Sequence, residues 1–383
     1  MTNEERVLRT IKRQSIDYLS SQITFSDISR EKELSRSFGF SEVEEFRDYL
    51  DNHLYYTFSL EYAPLRYRDD INVLEYCQRA GYAKIDIKNS IVYDNWGMGT
   101  FMDSDGFSLS FSPLKDKPDD NIRRYMPDAF PDSIFNMNLY DAIRAYPVPD
   151  PSRPEGYSMI KRELCEYSGR YLVVASGNWG IIEHAYGIMG FENFMIETIK
   201  NPLLIGDFLD RITDHKIEEA KKYIELGIKI GSHGDDLGTQ NGPFFSLKTF
   251  REMIKPRLKR IFEVYKKVGL PIMMHSCGNI TEYLPDLIEI GLDVLEPVQP
   301  CMDLVHLKRE FGKDLTFMGG IDTQYVLPFG TEKEVRSTVR DVIRTLGKGG
   351  GYIISPSQEI MKDVPIRNIK ALIETMIEER QNI

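Results

Sequence analysis

From about residue 170 onward, apolar and polar positions follow a regular rhythm. Short apolar runs alternate with amphipathic stretches. The runs are YLVVAS (171–176), IKIGSH (228–233), LPIMMH (270–275), LDVLEPV (292–298), LTFMGG (315–320) and GYIIS (351–355). Between them, residues 247–268, 281–290 and 331–347 carry apolar side chains at three- and four-residue spacing, the signature of helices buried on one side. Runs apolar on both faces and separated by helices predict a parallel sheet covered by helices. SQITF (21–25) and AKIDI (83–87) extend the series to eight strands. Eight such units predict a TIM (β/α)8 barrel in an α/β chain. An open doubly wound sheet is the alternative, but no G-x-G-x-x-G follows an early strand to support dinucleotide binding.

The first part of the chain has a different texture. Residues 1–60 read as a helical region with charged faces. IVYDNWGMGTF and GFSLSFSPL, within 91–112, read as a β-hairpin turning around Asp103–Gly106. The proline-rich stretch 113–157 reads as a long ordered excursion. The expected organisation is one domain, 1–383, with an N-terminal helical region. A hairpin-containing insertion, about 90–165, separates strands two and three.

Composition narrows the function. The chain has 383 residues, 42% hydrophobic and 28% charged, enough for a large core. A net charge of -11 argues against general binding of nucleic acid or an anionic membrane, though it leaves room for a local basic pocket. No apolar run approaches the roughly 20 residues needed to span a bilayer. The charged start MTNEERVLRTIKRQ lacks the apolar core of a secretory signal. Four cysteines do not make a disulfide framework, so free thiols in a reducing cytoplasm are expected. The sequence leaves the oligomeric state open.

In a TIM barrel the chemistry gathers at the C-terminal ends of the strands. Read that way, GDDLGTQ (234–240), HSCGN (275–279), LEPVQPC (295–301), MGGID (318–322) and SPSQEI (355–360) place polar, metal-capable residues at one end of the barrel. His275-x-Cys277 is the sharpest feature. An imidazole and a thiolate two residues apart can converge on zinc, with Glu296 and Cys301 as candidates to complete the shell. A packed cysteine beside a hydrogen-bonded histidine is the alternative. Asp235 and Asp236 are adjacent on a strand end and point to opposite sides. One is expected to face the cavity as an acid, a base or an anchor for a ring; the alternative is that one caps the following turn and the other is solvated. Asn178, Gln240, Asn279, Gln299, Asp322 and Ser357 are candidate substrate-binding groups or satisfied loop residues. Arg66 and Arg68 can meet an anionic substrate group or lie on a solvated face.

These same segments carry a family resemblance. GDDLGTQNGPFFSLKTF, PIMMHSCGNITEYLPDLIEIGLDVLEPVQP, LTFMGGID and SPSQEIMKDVPIRNIKAL resemble the uroporphyrinogen decarboxylase superfamily, and so do EHAYGIMGFENFMIETIKNP and NEERVLRTIKRQ. The resemblance implies a TIM barrel. True decarboxylases of that superfamily carry an Arg-rich R-Q-A-G-R-Y motif near the N-terminus, absent here, and lack His-x-Cys at strand five. The chain is therefore more similar to the cobalamin-dependent methyltransferase branch. That branch moves a methyl group between a corrinoid protein and a thiol or pterin. It uses zinc held by His-x-Cys, a later cysteine in the strand-eight loop and, in some relatives, a glutamate. Carried over, His275 and Cys277 match the first two ligands, and Glu296 sits where the glutamate would be. The strand-eight cysteine is replaced by Ser357 or Gln358. The resemblance thus implies a methylcobalamin-linked methyltransferase with zinc, a separate corrinoid carrier protein and a small thiol or pterin substrate. The competing expectation is a metal-free decarboxylase acting on an acidic tetrapyrrole-like substrate.

Overall fold

The computed structural model describes residues 1–26, 29–67, 70–102, 108–176 and 179–381. Eight parallel strands form a TIM barrel: β1 (Ser20–Ser21), β2 (Leu54–Thr57), β3 (Leu172–Ala175), β4 (Gly231–Gly234), β5 (Ile272–His275), β6 (Val294–Val298), β7 (Thr316–Ile321) and β8 (Tyr352–Pro356). A continuous ladder runs β4-β5-β6-β7-β8-β1, and β2 pairs with β3. Between β1 and β2, His53 donates its backbone N–H to the Ser21 carbonyl at 3.0 Å and Leu54 donates to the Gln22 side chain. β7 and β8 are buried along their whole length, as strands covered on both faces must be.

The barrel interior is filled by Leu54, Leu172, Val174, Ile230, Met273, Val294, Met318 and Ile353. Val7 and Ile11 of the helix Asn3–Ile11 pack into the same cluster. That helix begins on Thr2, whose hydroxyl accepts from Glu5 N–H, and it carries Glu4 and Glu5 at its positive end. It closes the N-terminal mouth of the barrel, so the C-terminal mouth is left for a site.

The later strands fall where the apolar rhythm predicts them, but strand two does not. Ala83–Asp86 lies outside the barrel. It pairs antiparallel with Ile91–Asp94, which pairs with Gly99–Phe101 and through it with Leu109–Phe111. The barrel's second strand is Leu54–Thr57, inside a stretch expected to be helical. Four residues are too few for periodicity to separate strand from helix. The predicted turn at Asp103–Gly106 lies outside the described residues. Everything from 58 to 171 therefore stands between β2 and β3.

This long excursion is tied to the barrel by buried charge. Glu61 accepts from Trp96 Nε1 at 2.7 Å and from His215 Nε2 at 2.9 Å. His215 Nδ1 reaches the Pro149 carbonyl at 2.9 Å. Lys216 meets Glu219 at 3.2 Å, and the Tyr62 hydroxyl bonds Glu61 and Glu219. His215, Lys216 and Glu219 belong to the helix Pro202–Leu226 on the barrel wall. Two carboxylates and two cations thus neutralise each other out of water, which is what makes their burial tolerable.

Burial alone would raise the Glu61 carboxyl, but His215 and Lys216 overcome it and hold it below its ordinary 4.5. Burial likewise opposes charge on His215, yet Glu61 and Glu219 hold its pKa above 6.5. The glutamate contribution is complete above pH 4.5 and lost as pH falls through its lower folded value. The histidine contribution is complete below pH 6.5 and lost as pH rises through its higher folded value. Glu61→Gln is therefore expected to cost roughly 3–5 kcal/mol. In urea unfolding across pH, the gap to the wild type should be widest between 4.5 and 6.5 and narrow on both sides. A gap independent of pH would show that the cluster is not ionised as drawn.

Candidate active site

At the C-terminal mouth the strand ends enclose a cavity of about 210 Å³. Met273 and Met318 lie at its base, with Tyr56, Phe58, Arg66, Glu183, His275, Glu296, Gln358 and Glu359 around it.

Register sets the central contact. His275 on β5 stands directly opposite Glu296 on β6. Its Nδ1 lies 2.7 Å from Glu296 Oε2, so Nδ1 donates and Nε2 is left free. That Nε2 is 3.6 Å from Cys277 Sγ and 3.5 Å from Asp236 Oδ1. Asp236 also accepts the Cys277 backbone N–H at 2.7 Å. One ligand atom each from Asp236, His275 and Cys277 lies within 4.8 Å of the others. One oxygen, one imidazole nitrogen and one sulfur, with a carboxylate fixing the histidine tautomer, suit zinc with a fourth position open.

Glycines allow this approach. Gly278, at φ +82°, packs its backbone on Gly238, and a Cβ there would meet the Gly238 carbonyl carbon at 2.2 Å. The loops after β4 and β5 thereby close on each other, bringing Asp236 beside Cys277. Gly180 does the same for the helix Ile181–Met189, since a Cβ would lie 2.1 Å from the Gly234 carbonyl oxygen.

The two aspartates separate as their alternation requires. Asp235 is fully buried and accepts N–H groups from Ile182 and Glu183 at 3.1 Å. It caps the helix Ile181–Met189 from the neighbouring strand end. Asp236 faces the cavity group.

Gln299 binds three loops together. Its Oε1 accepts from Gly278 N–H at 2.7 Å, and its Nε2 donates to the Ser357 carbonyl at 3.2 Å and lies 3.6 Å from Cys277 Sγ. Gln358 Nε2 approaches the same sulfur at 3.6 Å. Gln358 is thus the strand-eight residue aimed at the thiol. The Ser357 hydroxyl turns away to Thr323 at 3.1 Å.

Other candidates serve their loops. Asn279 bridges the Cys301 carbonyl and Thr281 N–H, and Asp322 accepts from Gln324 and Tyr325 N–H. Gln240 is exposed. Cys301 is half-buried and, with Glu296, falls outside the ligand group. Asn178 and Arg68 lie outside the described residues. Arg66 reaches the cavity, paired with Glu359 at 2.5 Å.

Glu183 was not singled out from sequence. Its Oε2 accepts from Gly180 N–H at 3.1 Å, three residues before it; with glycine at the helix cap the sequence carries no capping-box signal for it. Burial first, then the Asp236 and Asp235 charges, raise its carboxyl well above the ordinary 4.5. Burial opposes charge on His275, but Glu296 and Cys277 outweigh it and raise its pKa well above 6.5. Burial raises the Cys277 thiol despite His275. A divalent cation would reverse that order by deprotonating the thiol outright.

A family model described as uroporphyrinogen decarboxylase (URO-D) matches residues 141–378, well over half of the chain. The chain belongs to the uroporphyrinogen decarboxylase family. Its curated relatives include a methylated-thiol–coenzyme M methyltransferase of Methanosarcina mazei, 25% identical over 49% of the chain and 48% of the relative. The chain thus spans about half the length of that relative. The methylcobamide:CoM methyltransferase MtbA of the same organism is 23% identical over 66% of the chain and 71% of its own length. A uroporphyrinogen decarboxylase of Psychromonas ingrahamii is 23% identical over 60% of the chain and 66% of its own. Among solved structures, a methyltransferase from Methanosarcina mazei superposes over 99% of both chains with TM-score 0.62 at 17% identity, which shows the shared fold. These family relatives are enzymes. No helix among the described residues is long and apolar enough to cross a membrane.

The division of labour between the aspartates has a direct consequence. Asp235→Ala should lower unfolding free energy by about 1–3 kcal/mol in urea, through the lost cap and the stranded N–H groups. Asp236→Ala should cost about 1 kcal/mol or less, the worth of one hydrogen bond. Equal losses would mean that both carboxylates are structural.

Proposed function

We propose that this family member is a methyltransferase that moves a methyl group between a corrinoid protein and a thiol or pterin acceptor, with zinc at the barrel mouth. The observation that carries the reading is the Asp236–His275–Cys277 group, with Glu296 on the far nitrogen of His275. The names of the Methanosarcina relatives support a thiol acceptor. Asp236, His275 and Cys277 would hold the ion, and Asp236 supplies the third donor where the strand-eight cysteine is replaced. Glu296 acts through His275 rather than as a ligand, and Cys301 stays outside.

Zinc held there lowers the pKa of a bound thiol and keeps the sulfur anionic at neutral pH. The chain's own groups prepare that chemistry. Glu296 holds the His275 ring with Nε2 toward the cavity. The Gln299 and Gln358 amides turn N–H groups toward Cys277 and favour its charged form. Tyr56, Phe58, Met273 and Met318 give the pocket apolar walls that exclude water. Glu183 lies at the cavity edge, its carboxyl pushed up by burial and by Asp236 and Asp235. A corrinoid carrier protein would dock over the strand C-terminal ends, in the cytoplasm.

Metal-free decarboxylation of an acidic tetrapyrrole-like substrate is the second reading, drawn from the relatives of that name. The cavity opposes it. Among its described lining residues Arg66 is the one Lys or Arg, already paired with Glu359, and Glu183 and Glu296 add further carboxyl groups. A substrate with several carboxylates needs the reverse.

Elemental analysis of protein purified without chelator and then offered zinc should give about one zinc per chain, as a single open site requires. Cys277→Ala should lose that zinc while keeping wild-type circular dichroism. Glu296→Gln should weaken zinc binding by about 10- to 100-fold, as expected when a histidine's orienting partner is lost. No bound zinc after repletion would overturn the reading and redirect assays to porphyrinogen decarboxylation.

A further inference from the structure

A second concavity, larger than the one at the barrel mouth, stands apart from it. It lies in the excursion between β2 and β3, with a volume of about 820 Å³. That is the size range of small-molecule sites. Its walls come from the antiparallel sheet, the 124–129 segment and the proline-rich 147–153 segment.

In a chain of net charge -11 its charged lining is balanced: Lys84, Arg124 and Arg153 converge here with Asp94, Asp128 and Asp150. Lys84 is paired with Asp128 at 2.7 Å. Arg153 donates to the Ala80 carbonyl at 2.8 Å and lies 4.8 Å from the Tyr82 ring centre. Arg124 is exposed, lies 4.9 Å from the Tyr125 ring centre, and interacts electrostatically with Asp86. Two arginines beside two tyrosines suit a flat ring bearing an anion.

Asp94 lines the cleft as well. Burial, with help from Glu61, pushes its carboxyl up to about 8 against the N–H groups of Met98, Trp96 and Gly97, so it presents little negative charge at neutral pH.

We infer that the cleft between the antiparallel sheet and the 147–153 segment is a second ligand site, which binds a planar heteroaromatic carrying a phosphate or carboxylate through Arg124 and Arg153. It lies outside the barrel-mouth cavity and does not depend on the reaction proposed there.

Isothermal titration of the full chain with guanosine 5′-monophosphate, orotate and uncharged guanosine tests this. At least one anionic probe should bind saturably at one site per chain, more tightly than guanosine. Tighter binding of the monophosphate assigns a phosphate ligand, and of orotate a carboxylate. Arg124→Ala, at an exposed position, should weaken binding at least tenfold, while His275→Ala should leave it unchanged. Saturable binding of neither anion, equal binding of guanosine, or binding that survives Arg124→Ala and fails in His275→Ala would overturn the inference.

Discussion

The parallel ladder between β5 and β6 sets His275 opposite Glu296, and the site depends on that pairing. Because side chains alternate along a strand, a slip of one residue would turn either group away from its partner. With the register in place, Glu296 takes Nδ1, so Nε2 is directed to Cys277 and Asp236 without any loop having to hold the ring. The orienting carboxylate is on a rigid strand, where positions are held more closely than on a loop.

Around that pair the loops are locked by backbone contact. Gly278 against Gly238 and Gly180 against Gly234 let three segments meet at distances no side chain would permit. Gln299 then links the β5, β6 and β8 ends through one amide. The same neighbourhood concentrates carboxyl groups: burial and the nearby aspartates push the Glu183 carboxyl up, and Glu359 pairs with Arg66. The acidic character of the mouth follows from this crowding and separates it from the cleft in the excursion, where three basic and three acidic side chains balance.

That excursion is held by the buried cluster of Glu61, His215, Lys216 and Glu219. Each of these residues looked unremarkable alone. His215 reads as one more histidine on a helix, and Glu61 as one charge in an aromatic, Arg-rich stretch. Their meaning depends on a contact across 154 positions of sequence. Local periodicity cannot report such a contact, and the same limit hid β2, whose four residues become a strand by pairing with Leu172–Ala175.

The sequence by itself determined the barrel class and its later strands, because alternation of buried strands and amphipathic helices is written in consecutive residues. It also determined His275-x-Cys277, since a spacing of two needs no tertiary information. The tertiary structure decided which residues join them. It drew in Asp236 rather than Cys301, turned Gln358 rather than Ser357 to the thiol, gave Asp235 to a helix cap and Glu183 to the cavity edge. Those assignments depend on strand register and loop closure, which are set by contacts between segments far apart in the chain.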